Sequence, residues 1–191
     1  MTVSFPRRVG VALVVAGMGT LALAQNSIVD PRSLAPFVPT PPLVVERMLQ
    51  LAGVDKTDTV YDLGSGDGRI VITAAQKFGA RAIGVELDDN LVKTTEDRIR
   101  ALKIENRARI LHANVFDVDL SDASVVTLYL LTLGNEAVKP KLESSLKPGT
   151  RVVSHDFQIS GWVPIRTEKL KGHARDHEIY VYEIGKHLRE E

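Results

Sequence analysis

The stretch Asp62-Leu63-Gly64-Ser65-Gly66-Asp67-Gly68 follows a short apolar run, residues 59–63, and precedes a helical pattern over residues 69–78. A glycine turn between a strand and a helix is typical of the first unit of a parallel α/β sheet, where ligands bind beyond the carboxyl ends of the strands. Three glycines in five residues let the backbone turn tightly and approach a ligand without Cβ contacts. This stretch therefore predicts the fold class and the place of a cofactor site.

Strand and helix patterns alternate on both sides of this turn, from residue 60 to residue 154. Helical patterns cover residues 43–51, 69–78, 90–103 and 135–147, the last interrupted at Pro140. Strand patterns cover residues 59–63, 81–87, 109–111, 125–131, 151–154 and 179–184. The run 125–131 is almost wholly apolar, as expected of a strand buried on both faces. The alternation predicts an α/β protein with a parallel sheet and helices on both of its faces.

Composition excludes several classes of site. The chain has 191 residues, with 24 Lys and Arg, 24 Asp and Glu, and no Cys. This length favours a single folded domain. Without Cys there are no thiolate zinc sites, iron–sulfur clusters, Cys nucleophiles or disulfides. The balanced charge argues against a dedicated nucleic-acid binder, which usually carries a basic excess.

The N-terminal part differs from the rest of the chain. Residues 1–24 contain two arginines and then the uncharged run 9–24, which ends in Ala-Leu-Ala. This pattern predicts a signal peptide or a short membrane anchor, with membrane association through residues 9–24. Either interpretation places the domain outside the cytoplasm, exported or membrane-anchored, on the periplasmic side if the source is bacterial. Residues 25–42 are predicted to form a Pro-rich arm, and residues 43–191 the folded domain.

The spacing of the glycines selects the nucleoside. The dinucleotide fingerprint needs a third glycine where this chain has Arg69, and Asp62 and Asp67 bracket the turn. A pyrophosphate would meet repulsion there, since like charges 4 Å apart cost about 4 kcal/mol at an effective dielectric near 20. S-adenosylmethionine has no phosphate and carries an ammonium and a sulfonium. Glu86 ends the second strand, where a carboxylate can accept both ribose hydroxyls.

These residues resemble the class I, seven-strand S-adenosylmethionine-dependent methyltransferases. The resemblance implies a Rossmann-like three-layer sandwich, with a mostly parallel seven-stranded sheet whose last strand is antiparallel. It also implies that the loop lines the methionine part of the cofactor, that Glu86 holds the ribose, and that Asn114 lies near the adenine. A simple turn cap is the alternative for Asn114. The cofactor-binding residues expected in this way are Asp62, Gly64, Ser65, Gly66, Asp67, Gly68, Glu86, Asn114 and Val115.

A narrower resemblance covers residues 37–40, 62–71 and 157–164. They are similar to the lysine methyltransferases of ATP synthase c-subunit and adenine nucleotide translocase, and to prokaryotic relatives. This resemblance implies protein-lysine N-methylation, and it allows for a protein substrate that is embedded in a membrane. It also implies that Thr40 lies over the cofactor. Thr40 as an N-cap before Leu43 is the alternative. Other open interpretations are a small-molecule or other protein N/O-methyltransferase, and a domain that binds S-adenosylmethionine without transferring methyl groups.

The sequence contains fewer signals for the site that binds the methyl acceptor. Residues 127–132 contain neither acid nor proline, unlike the Asp/Asn-Pro-Pro-aromatic motif of enzymes that methylate DNA bases, so no nucleic-acid partner is expected. Tyr129 is a candidate for lining the acceptor pocket, and His155 and Asp156 are candidates for handling a proton. A buried strand tyrosine and turn-capping side chains are the alternatives. His173 and His177 have metal-ligand spacing only on a helix, and their segment resembles a hairpin, so no metal is expected.

Overall fold

The computed structural model describes Met1, residues 34–172 and residues 174–188. Outside these ranges lie residues 2–24 of the expected signal or anchor, the arm as far as residue 33, His173 and residues 189–191. No helix within the described ranges is long and apolar enough to cross a membrane. Since most of residues 1–33 lie outside the described ranges, the domain boundaries stay predictions.

Four helices and seven strands make up the described domain. The helices are α1 (Pro42–Leu51), α2 (Arg69–Lys77), α3 (Asp89–Leu102) and α4 (Leu131–Ser145). The strands are β1 (Thr59–Leu63), β2 (Arg81–Glu86), β3 (Ala108–His112), β4 (Val125–Leu128), β5 (Arg151–His155), β6 (Arg166–Leu170) and β7 (His177–Glu183).

All seven strands form one sheet in the order β3-β2-β1-β4-β5-β7-β6. Strands β1 to β5 pair in parallel, whereas β7 is antiparallel to both β5 and β6. This confirms the expected Rossmann-like sheet and its antiparallel last strand. The order reverses between β1 and β4, and ligands of open parallel sheets bind beyond the carboxyl ends of the strands at such a switch point.

Alternating side chains of the central strands build a core on each face of the sheet. On one face, Val60 packs in a cluster that includes residues of α1, α2 and α3. On the other face, Tyr61 belongs to a second cluster that contains Val138 of α4 and Trp162. The central strands β1, β4 and β5 are buried on both sides, so the three-layer arrangement is confirmed.

The expected strand over residues 125–131 is too long by three residues. Strand β4 ends at Leu128, which is paired with Leu63, the last residue of β1, and with Ser154, the last but one residue of β5. Leu131 then has φ 62°, outside the strand region, and begins α4. Helix α4 also continues through Pro140, which is exposed on the solvent side.

Strand β6 was missing from the elements that the sequence predicts. Its sequence Arg-Thr-Glu-Lys-Leu has little apolar character, because it is an edge strand that pairs only with β7. Charged residues on an edge strand discourage pairing with other chains. Glu168 of β6 accepts two hydrogen bonds of 2.6 Å from Arg47 of α1, and these connect the edge of the sheet to the first helix.

Candidate active site

A cleft of about 560 Å³ opens at the carboxyl edge of the parallel strands. It is lined by the arm 34–40, by the loop after β1, by the end of β2, and by residues that follow β3 and β4. Its volume is within the range of about 300–1,000 Å³ that is typical of small-molecule sites. The cleft therefore lies where the glycine loop predicted a cofactor.

The three loop glycines have different tasks. Gly64 and Gly66 line the cleft with φ of 76° and 54°. Gly68 does not line it: with φ 70° it caps α2, and a Cβ there would lie 2.1 Å from Cγ2 of Thr95 on α3. Gly68 was expected to bind cofactor, but the structure shows it packing α3 against the loop.

The Glu86 carboxylate connects the end of β2 to the glycine loop. One oxygen accepts a hydrogen bond of 2.7 Å from the Gly66 N–H, and the other accepts bonds from Leu87 and Asp88 N–H at 2.8 and 3.0 Å. Since a carboxylate offers about four acceptor positions, these bonds leave capacity for a hydroxyl in the cleft. Glu86 lines the cleft, as the ribose interpretation requires.

Asp62 is a buried acid that borders the cleft with only 3% of its surface exposed. Its Oδ1 accepts a 2.7 Å hydrogen bond from the Thr127 hydroxyl. Burial raises the pKa of Asp62 to about 7, the Thr127 bond opposes this rise, and the negative charges of Glu86 and Asp67 add to it. A bound cation would relieve that cost, because an opposite charge favours the ionised carboxylate.

Asp67 is not the free carboxylate that its position in the glycine loop suggests. It lines the cleft, but its carboxylate accepts two hydrogen bonds of 2.6 and 2.8 Å from Arg69. Nη1 of Arg98 lies 3.7 Å from its Oδ2. Hydrogen bonds from Arg69 hold the pKa of Asp67 below its usual value. The repulsion expected for a pyrophosphate therefore comes from Asp62 and Glu86 rather than from Asp67.

Ser65, Asn114 and Val115 also line the cleft. The Ser65 hydroxyl is buried with no hydrogen-bond partner within the described ranges. It packs against Gly84, where an added Cβ would be only 2.5 Å from the Ser65 oxygen. Asn114 Oδ1 accepts a 3.0 Å bond from Phe116 N–H, which is the turn cap considered as its alternative role. That cap leaves the Asn114 amide group able to serve as a donor as well.

The arm closes one side of the cleft. Thr40 is buried, its hydroxyl lies 3.2 Å from Nδ1 of His155, and its carbonyl accepts a 2.7 Å bond from Arg69. A Cβ on Gly66 would be 2.5 Å from the Phe37 ring, so this ring lies directly on the glycine loop. Thr40 therefore connects the cofactor loop with the acceptor side, and the N-cap position of α1 is occupied by Pro41 instead.

The three candidate acceptor residues lie together after β4 and β5. Tyr129 lines the cleft, and its ring centroid is 4.0 Å from that of His155 and 6.0 Å from that of Phe157. His155 is completely buried and does not line the cleft. Burial lowers the pKa of His155 to about 4, so its imidazole is neutral at physiological pH and supports Tyr129 from behind.

Two residues of this cluster were missed by sequence reasoning, Arg175 and, as a partner of His155, His177. Nη2 of Arg175 is 2.5 Å from Asp156 Oδ2, and His177 Nδ1 is 3.0 Å from His155 Nε2. Burial opposes ionisation of Asp156, but hydrogen bonds from Arg175 and from Glu178 N–H keep its pKa below the ordinary value. Only the antiparallel register of β7 on β5 brings these residues together, and no local sequence pattern reports it.

His155, Asp156 and His177 offer ligand atoms close enough together for a metal ion. The two nearest distances are 3.0 Å between the imidazole nitrogens and 3.1 Å from His155 Nε2 to Asp156 Oδ2. Both are hydrogen-bond lengths, and the Arg175 cation already lies against the Asp156 oxygen. We therefore interpret this group as a hydrogen-bonded cluster.

The cleft residues fit S-adenosylmethionine better than a phosphate-bearing nucleotide. Among the described residues that line the cleft, Arg69 is the only Lys or Arg, and it is paired with Asp67. The acidic lining residues are Asp62, Asp67, Glu86, Asp88 and Asp89. Such a donor set suits a ligand that carries an ammonium, a sulfonium and ribose hydroxyls.

Comparison with known proteins agrees with this geometry. Residues 62–166 match the family model described as the ANTKMT methyltransferase domain. A protein-lysine N-methyltransferase from Saccharolobus islandicus (strain REY15A) is 51% identical over 80% of this chain and 95% of that protein. A lysine N-methyltransferase of the ATP synthase c-subunit from Xenopus laevis is 30% identical over 78% of this chain, a match that spans 64% of the Xenopus protein.

One solved structure is also closely similar. It is the crystal structure of an RNA methyltransferase from Salinibacter ruber in complex with S-adenosyl-L-homocysteine. Its sequence is 46% identical, its TM-score is 0.75, and the match covers 81% of this chain and 98% of the Salinibacter chain. The bound S-adenosyl-L-homocysteine is what remains of S-adenosylmethionine after methyl transfer.

Proposed function

We propose, on the premise that this chain belongs to the ANTKMT methyltransferase family, that it methylates the side-chain amine of a lysine in a protein. The chain is an S-adenosylmethionine-dependent methyltransferase. The observation that carries the lysine acceptor is the 51% identity with the Saccharolobus protein-lysine N-methyltransferase, which extends over 95% of that protein.

The cleft residues divide the cofactor between them in this proposal. S-adenosylmethionine, when bound, supplies a methyl group activated by a sulfonium. Asp62 faces its ammonium, Glu86 accepts hydrogen bonds from its ribose, and Asn114 and Val115 contact its adenine. Gly64 and Gly66 let the backbone lie against the ligand without Cβ contacts. The support is that all of these residues line one cleft at the switch point of the sheet.

The transfer itself needs positioning and a neutral amine. The amine lone pair forms the N–C bond as the C–S bond breaks, the electron pair of that bond stays on sulfur, and a proton of the amine passes to water. An in-line displacement of this kind gains most from orientation and from exclusion of water. The arm supports both, because Thr40 is buried between Arg69 and His155 and Phe37 covers the loop.

RNA is the second candidate acceptor, because the Salinibacter relative is described as an RNA methyltransferase. Charge favours the protein acceptor. Most of the charged residues around the cleft are acidic, and the paired Arg69 offers no free cation to a phosphate backbone. RNA binding normally relies on such cations. A lysine side chain, by contrast, approaches an acidic cleft favourably.

For the location of the enzyme, we propose export or membrane anchoring through residues 9–24. The support is the sequence: two arginines, a 16-residue uncharged run and an Ala-Leu-Ala site before Gln25. Cell fractionation with N-terminal sequencing tests it. A chain that starts at Gln25, or an intact chain in the membrane fraction, is expected. An intact chain in the cytosol would contradict the proposal.

Labelling tests the acceptor class. The full chain is incubated with donor carrying a tritiated methyl group and with a cell lysate, and the labelled material is treated with protease or with ribonuclease. We expect label that protease releases and ribonuclease does not. An Asp62→Ala variant is the negative control. Label that only ribonuclease releases would overturn the lysine assignment and support the RNA acceptor.

A further inference from the structure

Arg175 joins two groups of the acceptor side through a single nitrogen. Its Nη2 is 2.5 Å from Oδ2 of Asp156 and 2.9 Å from the hydroxyl oxygen of Tyr129. A terminal guanidinium nitrogen carries two hydrogens, so each partner receives one. Asp156 is fixed from its other side, because Oδ1 accepts a 2.9 Å bond from Glu178 N–H. The guanidinium is therefore held where it can orient the phenol.

The Tyr129 ring has little freedom to turn. It packs on the buried His155 ring with centroids 4.0 Å apart, and Phe157 lies 6.0 Å away. His155 is held in turn by Thr40 and His177 at its two ring nitrogens. Packing on one side and the Arg175 hydrogen bond at the hydroxyl together fix the position of the Tyr129 oxygen.

The place of Tyr129 in the sheet shows which side of the cleft it borders. Tyr129 follows β4, which lies next to β1 on the side away from β2 and β3. The ribose and adenine contacts proposed above come from the ends of β2 and β3. Tyr129 nevertheless lines the same cleft. Tyr129 thus borders the cleft on the side opposite the two strands whose ends hold the nucleoside.

The hydrogen-bonding state of Tyr129 defines the chemistry of this end. Its oxygen accepts one hydrogen bond from Arg175, and the carboxylate of Asp156, which is bonded to the same guanidinium nitrogen, is the neighbouring acceptor available to the phenol hydrogen. One lone pair remains on the oxygen. The oxygen can therefore accept a hydrogen bond from an incoming N–H group. A phenol whose hydrogen is taken by Asp156 does not donate to the amine nitrogen, so the nitrogen lone pair stays free for the reaction.

We propose that Arg175 is a positioning residue for the methyl acceptor: with Asp156 it holds the Tyr129 hydroxyl so that its oxygen accepts an N–H of the acceptor amine and aims the nitrogen lone pair at the methyl group. This inference rests on the proposed function, because it needs an amine acceptor. In this inference Tyr129 contacts the substrate, and Arg175 acts only by holding Tyr129 in place.

A double-mutant cycle with Tyr129→Phe, Arg175→Met and their combination tests the inference in the full chain. We expect each single variant to lower kcat about tenfold or more, since misplacement of a reacting group by about 1 Å can cost about 100-fold. We expect the combined variant to be no slower than Tyr129→Phe, because Arg175 acts through the lost oxygen. The affinity for S-adenosylhomocysteine, measured by calorimetry, should not change.

Arg166→Met is the matched control, because it removes an exposed arginine of the neighbouring strand β6. The Arg166 guanidinium donates to the carbonyl of Leu51 and not to Tyr129 or Asp156. It should keep the wild-type kcat. Arg175→Lys keeps the charge but not the two-hydrogen geometry of Nη2, and should be slower than wild type even if Arg175→Met proves unstable. Wild-type kcat in the Arg175 variants, or losses that multiply in the combined variant, would overturn the inference.

The failure of the proposed function would look different. In that case the wild-type chain itself would label no lysine, whatever the Arg175 variants do. The inference fails by itself when the wild type labels lysine and the Arg175→Met variant labels it at the same rate.

Discussion

Replacing Asp62 with Asn should remove the pH dependence of cofactor binding. Burial raises the pKa of Asp62 to about 7, so much of the carboxyl is protonated in the free protein below neutral pH. If the cofactor ammonium binds the ionised form, the apparent affinity falls tenfold for each pH unit below this pKa. Between pH 7 and pH 5 the ionised fraction falls from about one half to about one hundredth, so the wild-type Kd for S-adenosylmethionine should rise about 50-fold.

Titration calorimetry at pH 5, 6, 7 and 8 measures this dependence. Asp62→Asn should bind weakly at every pH, with a flat profile. Wild type should release a proton on binding near pH 6, which two buffers of different ionisation enthalpy detect. Asp122→Asn is the control: this exposed carboxylate bonds Tyr61 and does not line the cleft, so it should keep the wild-type profile. A constant wild-type Kd from pH 5 to pH 8 would refute the reasoning.

The same pKa predicts how stability changes with pH. A carboxyl whose pKa is raised on folding stabilises the native state most below its unfolded pKa, and this contribution is lost as pH rises through the folded pKa. A rise from 3.8 to about 7 corresponds to about 4 kcal/mol. Relative to Asp62→Asn, wild type should lose about that much free energy of unfolding between pH 4 and pH 8, as urea unfolding would measure. Parallel pH profiles of the two proteins would contradict this.

Individual contacts lead to three more expected outcomes. Gly68→Ala should lower the free energy of unfolding by about 3 kcal/mol, because φ is 70° and the new Cβ meets Thr95; adding Thr95→Ser should restore part of it in urea unfolding. His155→Gln should flatten the acid side of the stability profile, since burial lowers the pKa of His155 to about 4 and the wild type should lose about 3 kcal/mol from pH 6.5 to pH 4. Glu86→Gln should weaken S-adenosylhomocysteine binding about tenfold in calorimetry, because an amide nitrogen cannot accept the hydrogen bonds that both carboxylate oxygens accept now. A wild-type result in any of these measurements would contradict the contact on which it depends.

The first half of the sheet could be predicted because its signals are local. The apolar run before the glycine loop defined the bounds of β1, and the acid at the end of the next run identified Glu86. Parallel strands bring their carboxyl ends to one edge, so residues far apart in sequence could be assigned to one site. Asp62 and Glu86 do line one cleft.

The acceptor side depends on pairings that the sequence does not display. Arg175 and His177 reach Asp156 and His155 only through the antiparallel register of β7 on β5. The partner of Asp67 is two residues away, but whether Arg69 turns toward it or into solvent depends on packing at the start of α2. Side-chain orientation of this kind has no periodic signal.

The identity of the acceptor atom is the most direct test of lysine methylation by this chain. Protein labelled by the full chain with a donor carrying a trideuterated methyl group is digested and examined by tandem mass spectrometry, with Asp62→Ala as the blank. We expect the heavy methyl mass on the Nε of lysine residues and its absence in the blank. Heavy methyl groups found only on other side chains, or only on nucleosides from the same lysate, would contradict lysine methylation.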